Sequence, residues 1–180
     1  ELVREITRIP GDYMVRIGMM NPDTMYNILD DLVDVLKNPR VYKFLHIPVQ
    51  SGSDKVLKIM RRRYTIDMYR SIIKELRRKV YGIAIATDII VGHPGEDKED
   101  FKATLDLLKE LWFDRIHVAR FTVRPNTYSA SLPQINSRVV KNRLKRIMDV
   151  VESLGIRKHR RYVGRVVNAF VTEFNGSTYT

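Results

Sequence analysis

The stretch of residues 44–54, FLHIPVQSGSD, changes abruptly from apolar and β-branched residues to small polar ones. Its first half suits a strand that is buried on both faces, as in parallel sheets. An amphipathic stretch follows, so the segment predicts one strand–turn–helix unit of a parallel sheet or barrel. Ligands bind at the carboxyl ends of the strands in such folds. Residues 50–54 therefore form either part of a binding site or an ordinary turn in which Ser53 or Asp54 caps the helix.

The rest of the chain alternates between strand and helix patterns, which is typical of α/β architecture. Strands are predicted at residues 13–18, 41–49, 83–91 and 115–122. Helices are predicted before Pro10 and at residues 23–36, 54–60, 65–79, 98–111 and 137–153. Thr65 and Ser137 are the expected N-caps of two of these helices, and Gly155 is expected to end the last one. Four strand–helix steps are thus followed, at residues 163–171, by a stretch that is typical of β structure.

The composition favours a globular domain whose partner is a polyanion. Hydrophobic residues make up 44% of the 180 residues, enough for one domain with its own core. No apolar run approaches the roughly 18 residues of a membrane helix, and the first residues show no signal-peptide pattern. We therefore expect a cytoplasmic protein without membrane association. The net charge of +11 attracts polyanions such as nucleic acids, because binding them releases counterions.

Three basic clusters concentrate this charge, at residues 61–63, 77–79 and 157–161. Instead of binding nucleic acid, each cluster could form a solvated helix face or lie at a helix C-terminus, where the macrodipole favours positive charge. That alternative suits residues 77–79, which end an amphipathic helix. The last cluster lies at a predicted domain boundary, and its predicted nucleic-acid contacts are Arg157, Lys158, Arg160 and Arg161.

Four blocks of sequence occur together and in the same order in one enzyme family. They are residues 16–22 (RIGMMNP), 40–65 (with VQSGSD and RRYT), 85–96 (IATDIIVGHPGE) and 120–127 (RFTVRPNT). Taken together, they resemble the radical SAM methylthiotransferases that modify transfer RNA. The first block, with residues 38–42, resembles the archaeal and eukaryotic branch, which acts on threonylcarbamoyladenosine. His93 stands where the family has an aromatic residue, and Asn126 stands where it has glycine.

The resemblance implies a partial (β/α) barrel, in which the predicted strands correspond to strands three to six of the family. Residues 1–161 are then the barrel portion without the family's cysteine loop. Residues 162–180 resemble the beginning of a TRAM domain, a small β-barrel that holds transfer RNA. The chain has no cysteine, whereas the family binds [4Fe–4S] clusters through cysteine thiolates. We therefore expect a piece of a longer enzyme that is inactive alone, with the clusters on a missing N-terminal portion of the same polypeptide.

The resemblance also implies positions for S-adenosyl-L-methionine (SAM) and for RNA. SAM needs an apolar slot, hydroxyl partners and a few directed polar groups. The cofactor-binding candidates, placed along the strand ends, are Gln50, Ser51, Val91, Phe121 and Thr122. Arg124 resembles an arginine that the family keeps at the mouth of its active site, which makes it a substrate-binding candidate. No catalytic residue is assigned within this chain.

No metal site is expected, because the four histidines lack the tight spacing of metal ligands. His46 is interpreted as a hydrogen-bonded core residue of its strand. Asp88 is a carboxylate in an apolar strand, where a charge needs a partner, and its role stays open between structure and function. The role of Tyr64, which resembles a tyrosine of the family, stays open in the same way.

The resemblance implies that the parent enzyme adds a methylthio group at C2 of N6-threonylcarbamoyladenosine next to the anticodon, by radical SAM chemistry. One alternative is a cluster-free RNA-binding protein that retains a remnant of the barrel. Another is a methylthiotransferase of the ribosomal-protein or isopentenyladenosine branch. A metabolic α/β enzyme acting on small anions has less support, because no catalytic triad, metal set or phosphate loop occurs in the sequence.

Overall fold

The computed structural model describes residues 1–166 and residue 176 of the chain. Its helices are α1 (Leu2–Arg8), α2 (Pro22–Tyr26), α3 (Leu29–Lys37), α4 (Asp54–Ile59), α5 (Ile66–Lys79), α6 (Lys98–Leu111) and α7 (Ser137–His159). Its strands are β1 (Phe44–His46), β2 (Ala84–Val91) and β3 (Arg115–Arg120), and two short 3-10 helices lie at Tyr128–Ala130 and Arg160–Tyr162. The β structure predicted for residues 163–171 falls, from residue 167 onward, outside the described residues.

The three strands form one parallel sheet in the order β1–β2–β3. Asp88 in β2 lies opposite His117 in β3. Side chains of β2 alternate between the faces, so Ile85 and Ile89 are fully buried while Asp88 is partly exposed. A parallel sheet is normally covered on both faces. Here one face carries the core and the other is open, as in a portion of a barrel, which confirms the predicted α/β fold.

One hydrophobic core joins the covered face of the sheet to the helices. Its fully buried members include Leu45, Ile85 and Ile89 from the strands and Leu36, Ile72, Leu76, Leu108 and Ile147 from the helices. Burying each such side chain stabilises the fold by about 1.5–3 kcal/mol relative to leaving it exposed. In the described part of the chain, no helix combines the length and hydrophobicity that membrane crossing requires.

Local capping signals set the starts of the helices that follow β1 and β2. The hydroxyl of Ser53 accepts a hydrogen bond from the amide of Val56 and caps α4. Thr65 caps α5 in the same way, as predicted. Asp97 and Asp100 form a reciprocal capping box at the start of α6, whose predicted span is confirmed.

The regular strand predicted at residues 13–18 is wrong in extent. The segment makes two isolated parallel bridges, from Val15 to Val41 and from Met19 to His46. Val15 and Met19 are four positions apart along the chain, whereas Val41 and His46 are five positions apart. This one-residue mismatch prevents a continuous ladder, as a bulge does.

The single helix predicted at residues 23–36 is also wrong, because the structure divides it into α2 and α3. Ile28 leaves the helical conformation, with φ −120° and ψ 16°. Met25 and Leu36 are nevertheless fully buried on either side of the break, while Ile28 is exposed. The apolar spacing therefore identified most of the core-facing positions but not the break between them.

The predicted end of the last helix at Gly155 is wrong, since α7 continues to His159. Its N-cap is Asn136, whose side-chain oxygen accepts from the amide of Arg138 at 2.9 Å, rather than Ser137. Leu154 and Lys158 are buried on the final turns. Packing of these two side chains outweighs the weak helix propensity of one glycine. The last basic cluster therefore begins on a helix, not in a linker.

Candidate cofactor and substrate rim

Gln50 lies four residues after the end of β1, in a backbone conformation that is rare for a non-glycine residue, with φ 69°. Its amide donates to the carbonyl of Asp88 at 2.8 Å, and its carbonyl accepts from the amide of Ile90 at 2.9 Å. The buried hydroxyl of Tyr64 donates to the carbonyl of Val49 at 3.1 Å. Burial raises the pKa of Tyr64 to about 12, so it stays a donor. These bonds hold the strained turn at the edge of the sheet, and Tyr64 has a structural role here.

A cavity of about 410 Å³, called here the central cavity, lies at the carboxyl ends of the strands. Its lining residues are Gln50, Arg62, Ile90, Ala119, Arg120, Phe121, Thr122, Arg124, Thr127 and Ser129. The volume falls within the range of small-molecule sites, and the lining mixes an apolar wall with a few polar groups. Gln50, Phe121, Thr122 and Arg124, which the sequence predicted separately, are thus brought together in one place.

Two further cavities adjoin the central cavity. One of about 420 Å³ shares Phe121 and Thr122 with it and extends toward Val140 on α7. The other, of about 270 Å³, shares Gln50 and Arg62 and extends toward Met19 and its neighbours after the first bridged segment. The three together form a continuous rim along the strand ends.

Ser51 is buried and serves the turn rather than the cavity wall. Its hydroxyl accepts from the amide of Ser53 at 3.3 Å. Gly52 beside it packs against α6, where its amide donates to the Thr104 hydroxyl at 2.9 Å. A Cβ at Gly52 would lie 2.5 Å from Thr104 Cα, so only glycine fits this approach. Ser51 therefore supports the position of Gln50.

Val91 is also buried in the core, and it does not line the three rim cavities. The loop after it is held by Glu96, whose Oε2 accepts from the Gly92 amide at 2.7 Å. Arg143 Nη1 on α7 lies 3.0 Å from Glu96 Oε1. Burial raises the pKa of Glu96, while the Gly92 hydrogen bond and Arg143 oppose that rise.

His93 connects the loop after β2 to the segment after β3. Its ring meets Phe121 edge-on, with the ring centroids 4.8 Å apart. Its Nε2 lies 2.9 Å from the hydroxyl of Ser129. Burial lowers the pKa of His93, which favours the neutral ring. The histidine thus fills an aromatic position of the family and adds a polar tie to the cavity wall.

A polar cluster on the open face of the sheet was missed by sequence reasoning. His46, Asp88 and His117 come from three different strands, and their ligand-type atoms lie within 4.8 Å of one another. His46 Nε2 is 2.6 Å from Asp88 Oδ1, so histidine is the partner of the carboxylate. The expected hydrogen bond of His46 is confirmed, but its predicted place in the core is wrong, because its side chain is partly exposed on the open face of the sheet. The residue types are those that bind divalent metals, and only parallel register, not spacing along the chain, brings them together.

The basic residues 157–161 differ in what their side chains contact. Lys158 Nζ lies 2.8 Å from Asp114 Oδ2 and is buried, and burial lowers the pKa of this ammonium. Arg157 stacks on the ring of Trp112 at 5.1 Å from its centroid. Arg161 lies 3.5 Å from Asp114 and is half-exposed, and Arg160 is exposed. Lys158 therefore faces inward, and the surface of the cluster is formed by the three arginines.

Comparison with known families shows the superfamily of this chain. The model of the Radical SAM superfamily matches residues 1–108. The chain belongs to the radical SAM superfamily. The structure of coproporphyrinogen III oxidase from Escherichia coli, a radical SAM enzyme, shares the fold of this radical SAM chain with a TM-score of 0.67 at 18% identity. That likeness covers 86% of this chain and 36% of the oxidase.

Curated relatives confirm the resemblance to the tRNA methylthiotransferases. A probable threonylcarbamoyladenosine tRNA methylthiotransferase of Methanocaldococcus jannaschii is 40% identical over 99% of this chain and 42% of its own length. The human threonylcarbamoyladenosine tRNA methylthiotransferase is 41% identical over 92% of the chain and 28% of its own length. A tRNA-2-methylthio-N(6)-dimethylallyladenosine synthase of Fusobacterium nucleatum is 38% identical over 95% of the chain and 39% of its own length. The radical SAM chain thus spans about two-fifths of the length of these microbial relatives.

The two cofactors of the superfamily fit this radical SAM chain differently. The central cavity offers apolar walls at Ile90 and Phe121 and polar groups at Gln50 and Thr122, a set that suits SAM. A [4Fe–4S] cluster does not fit, because the 180 residues contain no cysteine thiolate to bind it. The other six lining residues were not selected from the sequence, although Arg62 belongs to the resembling block of residues 40–65; they are Arg62, Ile90, Ala119, Arg120, Thr127 and Ser129.

Proposed function

We propose that this chain forms the cofactor- and substrate-facing part of a tRNA methylthiotransferase that acts on threonylcarbamoyladenosine. The observation that carries the proposal is the central cavity, which gathers Gln50, Arg62, Phe121 and Arg124 from separate family-like blocks at the ends of parallel strands. Relatives with this activity in their names match the chain over 92% to 99% of its length. A metabolic α/β enzyme has no comparable support.

In this proposal, SAM binds along the rim. Ile90, Ala119 and Phe121 form the apolar wall against the adenine, and Gln50 and Thr122 bind the ribose or the methionine part. SAM bound there supplies the transferable methyl group. Ser51 and Val91 act indirectly, since the first shapes the turn that presents Gln50 and the second anchors the end of β2 in the core. The chain's own contribution is to bind and orient.

Transfer RNA binds, in this proposal, through Arg157, Arg160 and Arg161 together with Arg124 at the mouth of the cavity. Phosphate contacts position the RNA without reading its sequence. Lys158 is left out of this surface, because its ammonium is paired with Asp114 inside the protein. Residues 162–180 are proposed to begin a TRAM-like RNA-binding domain, on the basis of their sequence pattern.

The proposal requires cysteines from outside these residues. We infer that the chain is part of a longer cytoplasmic polypeptide, whose preceding segment supplies the cluster ligands. The relatives are consistent with this, since the chain spans 42% of the Methanocaldococcus jannaschii protein. A longer polypeptide without cysteines would favour the alternative of a cluster-free RNA-binding protein.

The decisive experiment is a methylthiolation assay with the longer polypeptide, reconstituted anaerobically with iron and sulfide and supplied with SAM and a one-electron reductant. The substrate is transfer RNA with threonylcarbamoyladenosine next to the anticodon, with a transfer RNA that carries dimethylallyladenosine assayed in parallel, and the product is measured by nucleoside mass spectrometry. We expect a gain of one methylthio group on this nucleoside and none with the 180 residues alone. A product on dimethylallyladenosine only would assign the chain to that branch instead. Absence of product on either nucleoside would contradict the proposal.

A further inference from the structure

The central cavity carries positive charge that no carboxylate neutralises. Arg62 and Arg124 line it, with Arg120 at the end of β3, and none of the lining residues is acidic. Six arginines of the described residues have a carboxylate oxygen within 4.0 Å, as Arg143 has with Glu96. Among the residues that the structure describes, neither Arg62 nor Arg124 has a carboxylate oxygen within 4.0 Å. Unpaired guanidinium groups around one cavity suit an anionic ligand group.

The backbone of Arg62 is held in place by the end of α4. The amide of Arg61 donates to the carbonyl of Lys58 at 3.0 Å, and the amide of Arg62 donates to that of Leu57 at 2.9 Å. This is a Schellman ending, in which Arg61 takes the left-handed conformation with φ 57°. Arg61 also stacks on Tyr128, 5.0 Å from its ring centroid, which ties α4 to the segment after β3. Arg62 is therefore presented to the cavity by a fixed turn.

Arg124 is held by a turn on the opposite side of the cavity. The hydroxyl of Thr127 donates to the carbonyl of Arg124 at 2.8 Å. Asn126 inside the turn has φ 62°, a conformation that asparagine tolerates better than most residues. The replacement of the family's glycine by Asn126 therefore retains a left-handed turn. Thr127 and Ser129 add hydroxyl groups to the same wall.

The relatives are named for two modified adenosines, whose N6 substituents differ in charge. A threonylcarbamoyl group carries a carboxylate and a hydroxyl, whereas a dimethylallyl group carries neither. We propose that Arg62 and Arg124 bind the carboxylate of the threonylcarbamoyl group, and so select this nucleoside. The inference rests on the proposed function and deepens it. An arginine–carboxylate contact is charge-assisted and directional, so it discriminates against a neutral substituent.

The test compares anticodon stem-loops that differ at one adenosine only. That adenosine carries a threonylcarbamoyl group, the methyl ester of this group, or a dimethylallyl group. All phosphates are identical, so backbone contacts cancel in the ratio of affinities. Fluorescence anisotropy with the longer polypeptide and saturating SAM measures the dissociation constants. We expect the acid to bind about tenfold more tightly than the ester or the dimethylallyl form.

The variant Arg62→Gln with Arg124→Gln should abolish this preference, so that it binds the acid and the ester with equal affinity. Arg146→Gln, an exposed arginine of α7 outside the central cavity, is the matched control and should retain it. Equal binding of acid and ester by the wild type would overturn the inference, even if methylthiolation proceeds. So would a double variant that keeps the preference but loses SAM affinity in calorimetry, because the arginines would then bind the SAM carboxylate. Failure to bind any stem-loop would overturn the proposed function itself.

Discussion

Glu96 and Arg143 form an ion pair that is nearly excluded from solvent. Arg143 Nη1 lies 3.0 Å from Glu96 Oε1, and the side chains are 13% and 4% exposed. Arg143 also donates to the carbonyl of Glu96 at 3.0 Å and stacks on Phe101. Because Glu96 holds the Gly92 amide, this pair connects α7 to the loop that borders the rim.

Arg143→Met should destabilise the fold by about 3–5 kcal/mol at neutral pH, since it leaves a buried carboxylate without its partner. Burial already raises the pKa of Glu96, and loss of Arg143 raises it further. A group with a raised folded-state pKa stabilises most below its unfolded value and loses that contribution as pH rises. The penalty of the variant should therefore shrink toward pH 4 and grow toward pH 7.

Urea denaturation across this pH range measures the effect. Arg146→Met, one turn along the same helix and exposed, is the control and should change stability by less than about 0.5 kcal/mol. A penalty for Arg143→Met that is independent of pH would contradict the role assigned to Glu96.

Gly52→Ala and Gly155→Ala should have opposite effects on stability. A Cβ at Gly52 meets the Thr104 backbone at 2.5 Å, so overpacking should cost about 1–3 kcal/mol. A Cβ at Gly155 meets nothing within 4 Å, and alanine in a helix interior should stabilise by about 0.5–1 kcal/mol. Thermal melts of the two variants check this, and a higher Tm for Gly52→Ala would refute the close approach to α6.

Gln50→Gly should weaken SAM binding about tenfold in the longer polypeptide while leaving Tm nearly unchanged. Glycine relieves about 1 kcal/mol of left-handed strain, which offsets the larger entropy it loses on folding. Gln50→Ala retains the strained backbone and should weaken SAM binding to the same degree. Calorimetric titration beside a thermal melt measures both quantities. Undiminished affinity in the glycine variant would make the Gln50 side chain dispensable for the cofactor.

Replacing Arg157, Arg160 and Arg161 with glutamine should weaken binding to many RNAs alike. Each lost phosphate contact should make the slope of log affinity against log salt shallower by roughly one unit. Affinities measured at several salt concentrations with cognate and unrelated RNA test this. Retention of both affinity and slope would place the RNA path elsewhere.

Lys158→Met should behave differently from these arginine variants. Removing the ammonium leaves Asp114 without its nearest partner, so stability should fall by about 2–3 kcal/mol. The salt slope of RNA binding should stay that of the wild type, because Lys158 is buried. A shallower slope at unchanged Tm would show that the lysine reaches the RNA after all.

Much of the fold was predictable because its signals are local. The helices α5 and α6 follow from apolar spacing and from the capping side chains of Thr65 and Asp97, all within a few residues. The extents of the last helix and of the first predicted strand were not predictable in the same way. Gly155 lies within a helix because distant residues bury its neighbours, and residues 13–18 fail to form a ladder because of a mismatch with β1.

The order of residues along the chain specifies which polar side chains follow each strand, and parallel strands necessarily bring those strand ends to one edge of the sheet. Gln50, Thr122 and Arg124 were identifiable for that reason. Which basic side chains are paired depends instead on contacts between residues that are far apart along the chain. Lys158 and Arg160 are basic residues of one cluster, but Asp114, just before β3, pairs with Lys158 and Arg161 and not with Arg160. Strand register likewise brings together three residues that are far apart along the chain, His46, Asp88 and His117.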